Sequence, residues 1–101
     1  MIYLLDFSSH AEADADIAGE EYDKKLAGLS FLFFDELNFF IQAITRSPFA
    51  FHIYQFNHAI RRCNLRRFTY AIYYSIDGDT IKILAIIHER RSKRYIKKRL
   101  K

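Results

Sequence analysis

The chain has 101 residues, half of them apolar and 17% aromatic, with 16 Lys and Arg against 12 Asp and Glu for a net charge of +4. That length fits a single domain, residues 1–101, and the apolar content excludes intrinsic disorder away from the extreme C-terminus. Asp6, Asp35, Glu36 and Lys82 interrupt the apolar runs before any reaches the length of a membrane span or signal-peptide core, and Cys63 stands alone with no Cys/His spacing suited to zinc, so the expectation is a cytoplasmic protein without disulfide, metal, cofactor or membrane.

Met1 to Phe7 reads as a first strand, ended by Ser8-Ser9. Ser9-His10-Ala11-Glu12 has capping-box spacing and predicts a helix over 10–27. Its contact face carries Ala11, Ala15, Ala18, Tyr22 and Leu26, and Asp14, Asp16, Glu20, Glu21 and Asp23 make the rest acidic. Gly28 suits the helix C-terminus, where Lys24 and Lys25 complement the dipole, and a helical hairpin follows. The second helix runs from Ser30 to Ser47 with a stripe of Phe33, Leu37, Phe40, Ile41 and Ile44, and Pro48 forbids continuation. Phe31, Leu32, Phe34 and Phe39 fall partly off that stripe, either beneath the first helix or against a partner.

Beyond Pro48 the pattern alternates. A strand near Ile60 to Arg66 places Cys63 and Leu65 inward, and Asp77-Gly78 predicts a type I′ hairpin turn between two longer strands. Tyr70, Ile72, Tyr74 and Ile76 share one face of the incoming strand, and Ile81, Ile83, Ala85 and Ile87 one face of the outgoing strand. The opposite face then gathers Arg62, Arg66, Tyr73, Leu84, Ile86 and His88, an apolar floor rimmed by cations, with only the basic tail left to cover it. That geometry suits a strand or helix donated by a partner, or an extended nucleic-acid strand. The fold class is therefore α+β: an N-terminal strand, an α-helical hairpin, a three-stranded antiparallel meander completing one sheet, and a short basic C-terminal helix or tail.

Charge is segregated along the chain. Residues 1–50 hold nine acids and three bases, residues 51–101 three acids and thirteen bases. The excess of cations over Arg61, Arg62, Arg66, Arg67, Arg90, Arg91, Lys93 and Arg94 marks a surface for a polyanionic or acidic target.

The order of elements, together with local motifs, resembles the RelE/ParE family of toxins from bacterial type II toxin–antitoxin pairs over nearly the whole chain. The residues that carry it are Phe7-Ser8, Ala11-Glu12 and Asp16, then Gly28-Leu29, Phe34-Asp35-Glu36-Leu37, Ile44 and Ser47-Pro48. Arg61-Arg62, Leu65-Arg66-Arg67-Phe68-Thr69-Tyr70, Ile83-Leu84-Ala85-Ile86-Ile87-His88 and Arg90-Arg91 complete the set. The second basic block is more similar to ParE-like members, although Thr69 and Ser92-Lys93 stand where those members typically have Pro. The resemblance implies a toxin neutralised by a cognate antitoxin in a hetero-oligomer, with Leu84, Ile86 and Tyr73 as the antitoxin-binding residues. It implies DNA gyrase as the target of a ParE-like member, and the ribosome and mRNA as the target of a RelE-like one.

RNA cleavage needs a base for the ribose 2′-hydroxyl, cations for the pentacoordinate phosphate and an acid for the 5′-oxygen. His88 has the ordinary pKa for base or acid, Arg62 and Arg66 (with Arg90) supply cations, and Tyr95 can stack a base or donate a proton. His88, Arg62, Arg66 and Tyr95 are thus the catalytic set if the chain is a nuclease. On a continuing strand Glu89 points away from His88, which leaves that set without a second acid–base partner and favours a binding poison. Both readings stay open in the sequence, beside a third, a general nucleic-acid-binding module.

Overall fold

Among the described residues three helices and five strands form in the order β1 (Leu4–Phe7), α1 (Ser9–Lys25), α2 (Leu29–Arg46), β2 (His52–Ile53), β3 (Ile60–Asn64), β4 (Tyr70–Asp77), β5 (Thr80–His88) and α3 (Lys93–Arg99). This computed structural model describes residues 2–101, so Met1, expected in the first strand, lies outside the described residues. The strands make one sheet in the order β1-β5-β4-β3-β2, with β1 parallel to β5 and every other pair antiparallel. The α+β class is as expected, and the two-residue β2, too short to leave an alternating signature, is the added strand.

α1 starts one residue before the expected capping box. Ser8 is the N-cap, its Oγ accepting the Ala11 N–H at 3.1 Å, and Ser9 is already helical. Ala11, Ala15 and Ala18 are buried as expected, whereas Leu26, assigned to the same stripe, is exposed at the C-cap. Gly28, at φ +88°, makes the reversal into α2 and offers no capping side chain. Asp23 of α1 supplies the cap instead, accepting the Ser30 N–H at 2.9 Å and the Ser30 hydroxyl at 2.8 Å. Those bonds, the backbone one first, lower the Asp23 pKa. Gly19 allows the hairpin to close, because a Cβ there would sit 2.8 Å from the Phe34 ring.

The hairpin covers one face of the sheet. Phe33, Leu37, Ile41 and Ile44 of α2 and the alanines of α1 pack on Cys63, Leu65, Ile72, Tyr74, Ile81, Ile83 and Ile86. The Tyr74 hydroxyl, buried in this layer, donates to the Pro48 carbonyl at 2.7 Å. On the opposite face, Ile96 and Leu100 from the α3 segment pack on Tyr54, Ile60, Ala71, Tyr73, Ala85 and Ile87. The basic tail is therefore itself the cover of the second face, and the open surface expected there does not exist.

A bulge explains why the strand pattern misleads. Tyr73 pairs with Ala85 and Tyr74 with Ile83, so Leu84 has no partner and the facing of β5 reverses there. Ile81, Ile83 and Ile86 face the hairpin, and Ala85 and Ile87 face α3. The grouping of Ile81, Ile83, Ala85 and Ile87 on one face, and of Leu84, Ile86 and His88 on the other, is corrected accordingly. The hairpin turn is also of another type. Asp77 pairs with Thr80 across Gly78-Asp79, and Gly78 alone has positive φ (+61°), the type II′ pattern rather than I′.

Cys63 is buried, and desolvation pushes its pKa up to about 12. Alkylation with iodoacetamide is therefore expected to run at least about 100-fold slower on the folded chain than in denaturant, because the thiolate is the nucleophile. Equal rates in the two conditions would contradict this burial.

Candidate functional site

The end of β5, the middle of α1 and α3 enclose a small polar cleft of about 120 Å³. α1 contributes Asp14, β4 contributes Tyr70, β5 contributes His88, and the C-terminal segment contributes Arg91, Tyr95 and Arg99. The segment folds over the cleft because Ser92 caps α3, its Oγ accepting the Tyr95 N–H at 3.1 Å, and because Ile96 anchors the helix in the second core. Two long-range bonds and one within α3 close the structure. Asp14 Oδ2 accepts the Ile86 N–H at 3.0 Å and the Arg99 guanidinium at 2.7 Å, and Arg99 also donates to the Tyr95 hydroxyl at 3.1 Å. The Asp14 bond is the chief cause of a raised Arg99 pKa. The Arg91 guanidinium lies over the Tyr95 ring, 4.4 Å from its centre.

His88 is held at both nitrogens. Nδ1 accepts the Arg90 backbone N–H at 3.1 Å, which fixes the proton of the neutral ring on Nε2, and Nε2 donates to Thr69 Oγ1 at 2.8 Å. Its ring meets Tyr70 edge-on at 5.0 Å. Burial, followed by the Arg90 charge, lowers the His88 pKa below 6.5. The imidazole is accordingly neutral at pH 7 and must break a bond to a backbone N–H before Nδ1 takes a proton. The sign of the linkage follows: the folded state holds fewer protons, so the His88 contribution to stability is full above about pH 6.5 and is lost as pH falls through the folded pKa. Nuclear magnetic resonance titration is expected to show the Nε2–H tautomer at neutral pH and a His88 midpoint below those of exposed histidines. A midpoint above 6.5 would contradict the geometry.

Of the four candidate catalytic residues, His88 and Tyr95 meet in this cleft, whereas Arg62 and Arg66 do not. Arg62 sits mid-strand on β3 between His52 and Tyr73. Arg66 lies in the β3–β4 loop and lines a separate cleft of about 410 Å³ with Asp35, Glu36, Phe39, Phe40 and Arg67. Asp14 and Arg99, which organise the site, escaped the sequence reading because the first lies on an acidic helix and the second in a cationic run, and neither pattern signals a partner 85 residues away.

The eight candidate target-binding residues divide as well. Arg61 is spent internally, donating to the carbonyls of Phe49 and Phe51 at 3.1 and 2.8 Å, and Arg67 Nε donates to Glu36 at 3.1 Å. Arg90 and Arg91 are exposed on the approach to α3 and Lys93 and Arg94 in its first turn, and Lys97, Lys98 and Lys101 continue the cationic face. Of the expected antitoxin-binding residues, Ile86 lies under α1 and Tyr73 under α3, each 2% exposed, so the shared open face is corrected to two covered ones. Leu84, released from pairing by the bulge, remains partly accessible. Among the described residues no three His, Cys, Asp or Glu side chains gather as a metal centre requires, and no helix is long and apolar enough to cross a membrane.

No family model and no curated protein matches the sequence. Solved structures do match the fold. A chain of the chromosomal ParDE TA system from P. aeruginosa superposes with a TM-score of 0.78 at 17% identity, over 86% of this chain and 96% of that one. The isolated E. coli RelE toxin superposes with a TM-score of 0.60 at 22% identity, over 98% of this chain and 99% of that one. The RelE/ParE fold expected from the sequence motifs is thus the fold the chain has.

Proposed function

We propose that the chain is the toxin of a type II toxin–antitoxin pair, a ParE-like growth inhibitor that acts in the cytoplasm by binding DNA gyrase. The observation that supports a toxin is the fold, shared over nearly the full length of this chain with the ParDE and RelE structures. Binding rather than cleavage is favoured by His88, the one histidine that lines the cleft, because both of its nitrogens are engaged. The cationic surface from Arg90 through α3 supplies the target contact, and the reading calls for no cofactor. The alternative, a RelE-like ribonuclease acting on mRNA in the ribosome, has one observation in its favour: His88, Arg91, Tyr95 and Arg99 line one cleft.

The antitoxin, in this reading, docks as an extended segment on β1. That strand stands at one end of the sheet and pairs only with β5, and its own Leu4 and Leu5, with Ile2 just before it, are exposed. An unpaired apolar edge is a template for strand addition. Leu84, whose carbonyl accepts the Ser8 hydroxyl at 3.3 Å, lies at the end of that edge.

The test is a short induced pulse of the chain in bacteria, with labelled thymidine and labelled amino acid followed together over the first minutes. Early loss of thymidine incorporation is expected, unchanged in kind by His88→Ala or Tyr95→Phe. Early loss of amino-acid incorporation, abolished by those substitutions, would replace gyrase with the ribosome, and undisturbed growth would overturn the toxin reading altogether.

A further inference from the structure

The flank of α2 beside the β3–β4 loop is apolar and has nothing over it. Phe39 is 62% exposed and Leu32, two turns earlier on the same stripe, is 48% exposed. Phe39 packs edge-on against Phe40 at 5.2 Å, and the two rings form one wall of the 410 Å³ cleft. Four charged side chains complete that cleft. Glu36 and Arg67 neutralise each other, but Asp35 and Arg66 have no ion-pair partner among the described residues. The flank therefore presents an aromatic centre with one uncommitted negative and one uncommitted positive charge.

We propose that this flank closes on a second copy of the chain as an isologous two-fold dimer. Phe39 and Phe40 of the two copies pack together, and Asp35 of each copy pairs with the partner's Arg66. A two-fold axis brings a patch onto itself, so a patch bearing one charge of each sign satisfies both at once. An acidic segment would satisfy Arg66 and oppose Asp35, and a basic segment the reverse. The surface lies across the sheet from β1, so it remains available when an antitoxin occupies that edge, and the dimer does not rest on the toxin reading. The contact is small, which places it with weak interfaces that assemble at micromolar concentration.

Sedimentation velocity on the full chain made by cell-free synthesis tests this. Between about 1 and about 200 µM the mass is expected to rise from 12.1 kDa toward twice that value. Asp35→Arg and Arg66→Asp should each weaken association at least about tenfold, and the double variant should restore it, since it only exchanges the charges. An equimolar mixture of the two single variants should associate although neither does alone. Because neither side chain makes an internal ion pair, the variants keep the fold; should either reversal lose its thermal transition, Asp35→Asn and Arg66→Gln provide the same comparison at smaller amplitude. A wild-type chain that stays monomeric throughout, or reversals without effect or without mutual rescue, would overturn the dimer. So would a monomer whose reversals instead weaken capture of the antitoxin.

Discussion

Glu36→Ala is expected to lower the melting temperature by roughly 15 °C, about 3 kcal/mol in a chain of this size. Glu36 is 7% exposed in the middle of α2. Its Oε2 accepts the backbone N–H groups of Arg66 and Arg67 at 2.9 and 2.8 Å, and its Oε1 accepts Arg67 Nε at 3.1 Å. One carboxylate thus shapes the whole β3–β4 loop, and alanine leaves two backbone donors without partners, each worth about 1–3 kcal/mol. The ion pair itself contributes less, because the Arg67 side chain is 68% exposed and water screens it. Arg67→Ala should therefore cost well under half as much as Glu36→Ala.

The same carboxylate sets an acid limit. Burial alone would raise its pKa, but the bonds and charge from Arg67 and the Arg66 N–H more than offset this, and the net shift is downward. The folded state binds a proton less readily than the unfolded chain, so stability is full above about pH 4.5 and is lost as pH falls through the folded pKa. Glu36→Gln, which cannot ionise, should be less stable at pH 7 and show a flatter decline in acid. Equal acid slopes for the two proteins would show that Glu36 does not couple to folding.

The elements that the sequence makes legible are those with local causes. Helical spacing of Phe33, Leu37, Ile41 and Ile44 places α2, and the Asp77-Gly78 pair between alternating runs places the β4–β5 hairpin. The failures share another cause. Leu84 looks like any alternating residue, yet its bulge reverses everything beyond it, and period-2 reading has no means of detecting an unpaired position. Ile96 and Leu100 are two apolar side chains among cations, too few to mark a covering helix, although the second core closes only with them. The position of His88 at the strand end is legible but its surroundings are not, because its contact with Tyr70 on the hairpin side follows from the reversal at Leu84. The cationic character of residues 90–101 needed no fold at all to be read, whereas the internal duty of Arg61 depends on carbonyls 10 and 12 residues away.

Asp14→Ala is expected to cost about 3 kcal/mol and to detach α3, since one side chain there does two tasks. β1 ends at Phe7, so the edge of β5 beyond Ile83 has no neighbouring strand, and the Asp14 carboxylate takes the place of one by accepting the Ile86 N–H. It also holds Arg99, in a pair whose side chains are only 24% and 16% exposed for Arg99 and Asp14, beneath a seven-residue helix that is too short to persist alone. Five of those seven residues are cationic, and their mutual repulsion works against the helix. Arg99→Ala separates the two tasks. It leaves Asp14 on the Ile86 N–H, so the melting temperature should fall by less than half as much as in Asp14→Ala, while hydrogen exchange over residues 94–100 speeds up to the same degree in both. Asp14→Asn keeps an acceptor for the Ile86 N–H and should behave like Arg99→Ala. If the Asp14→Ala chain retained slow exchange in α3, Ile96 and Leu100 alone would be holding the helix, and the Asp14–Arg99 pair would be a bystander to the second core.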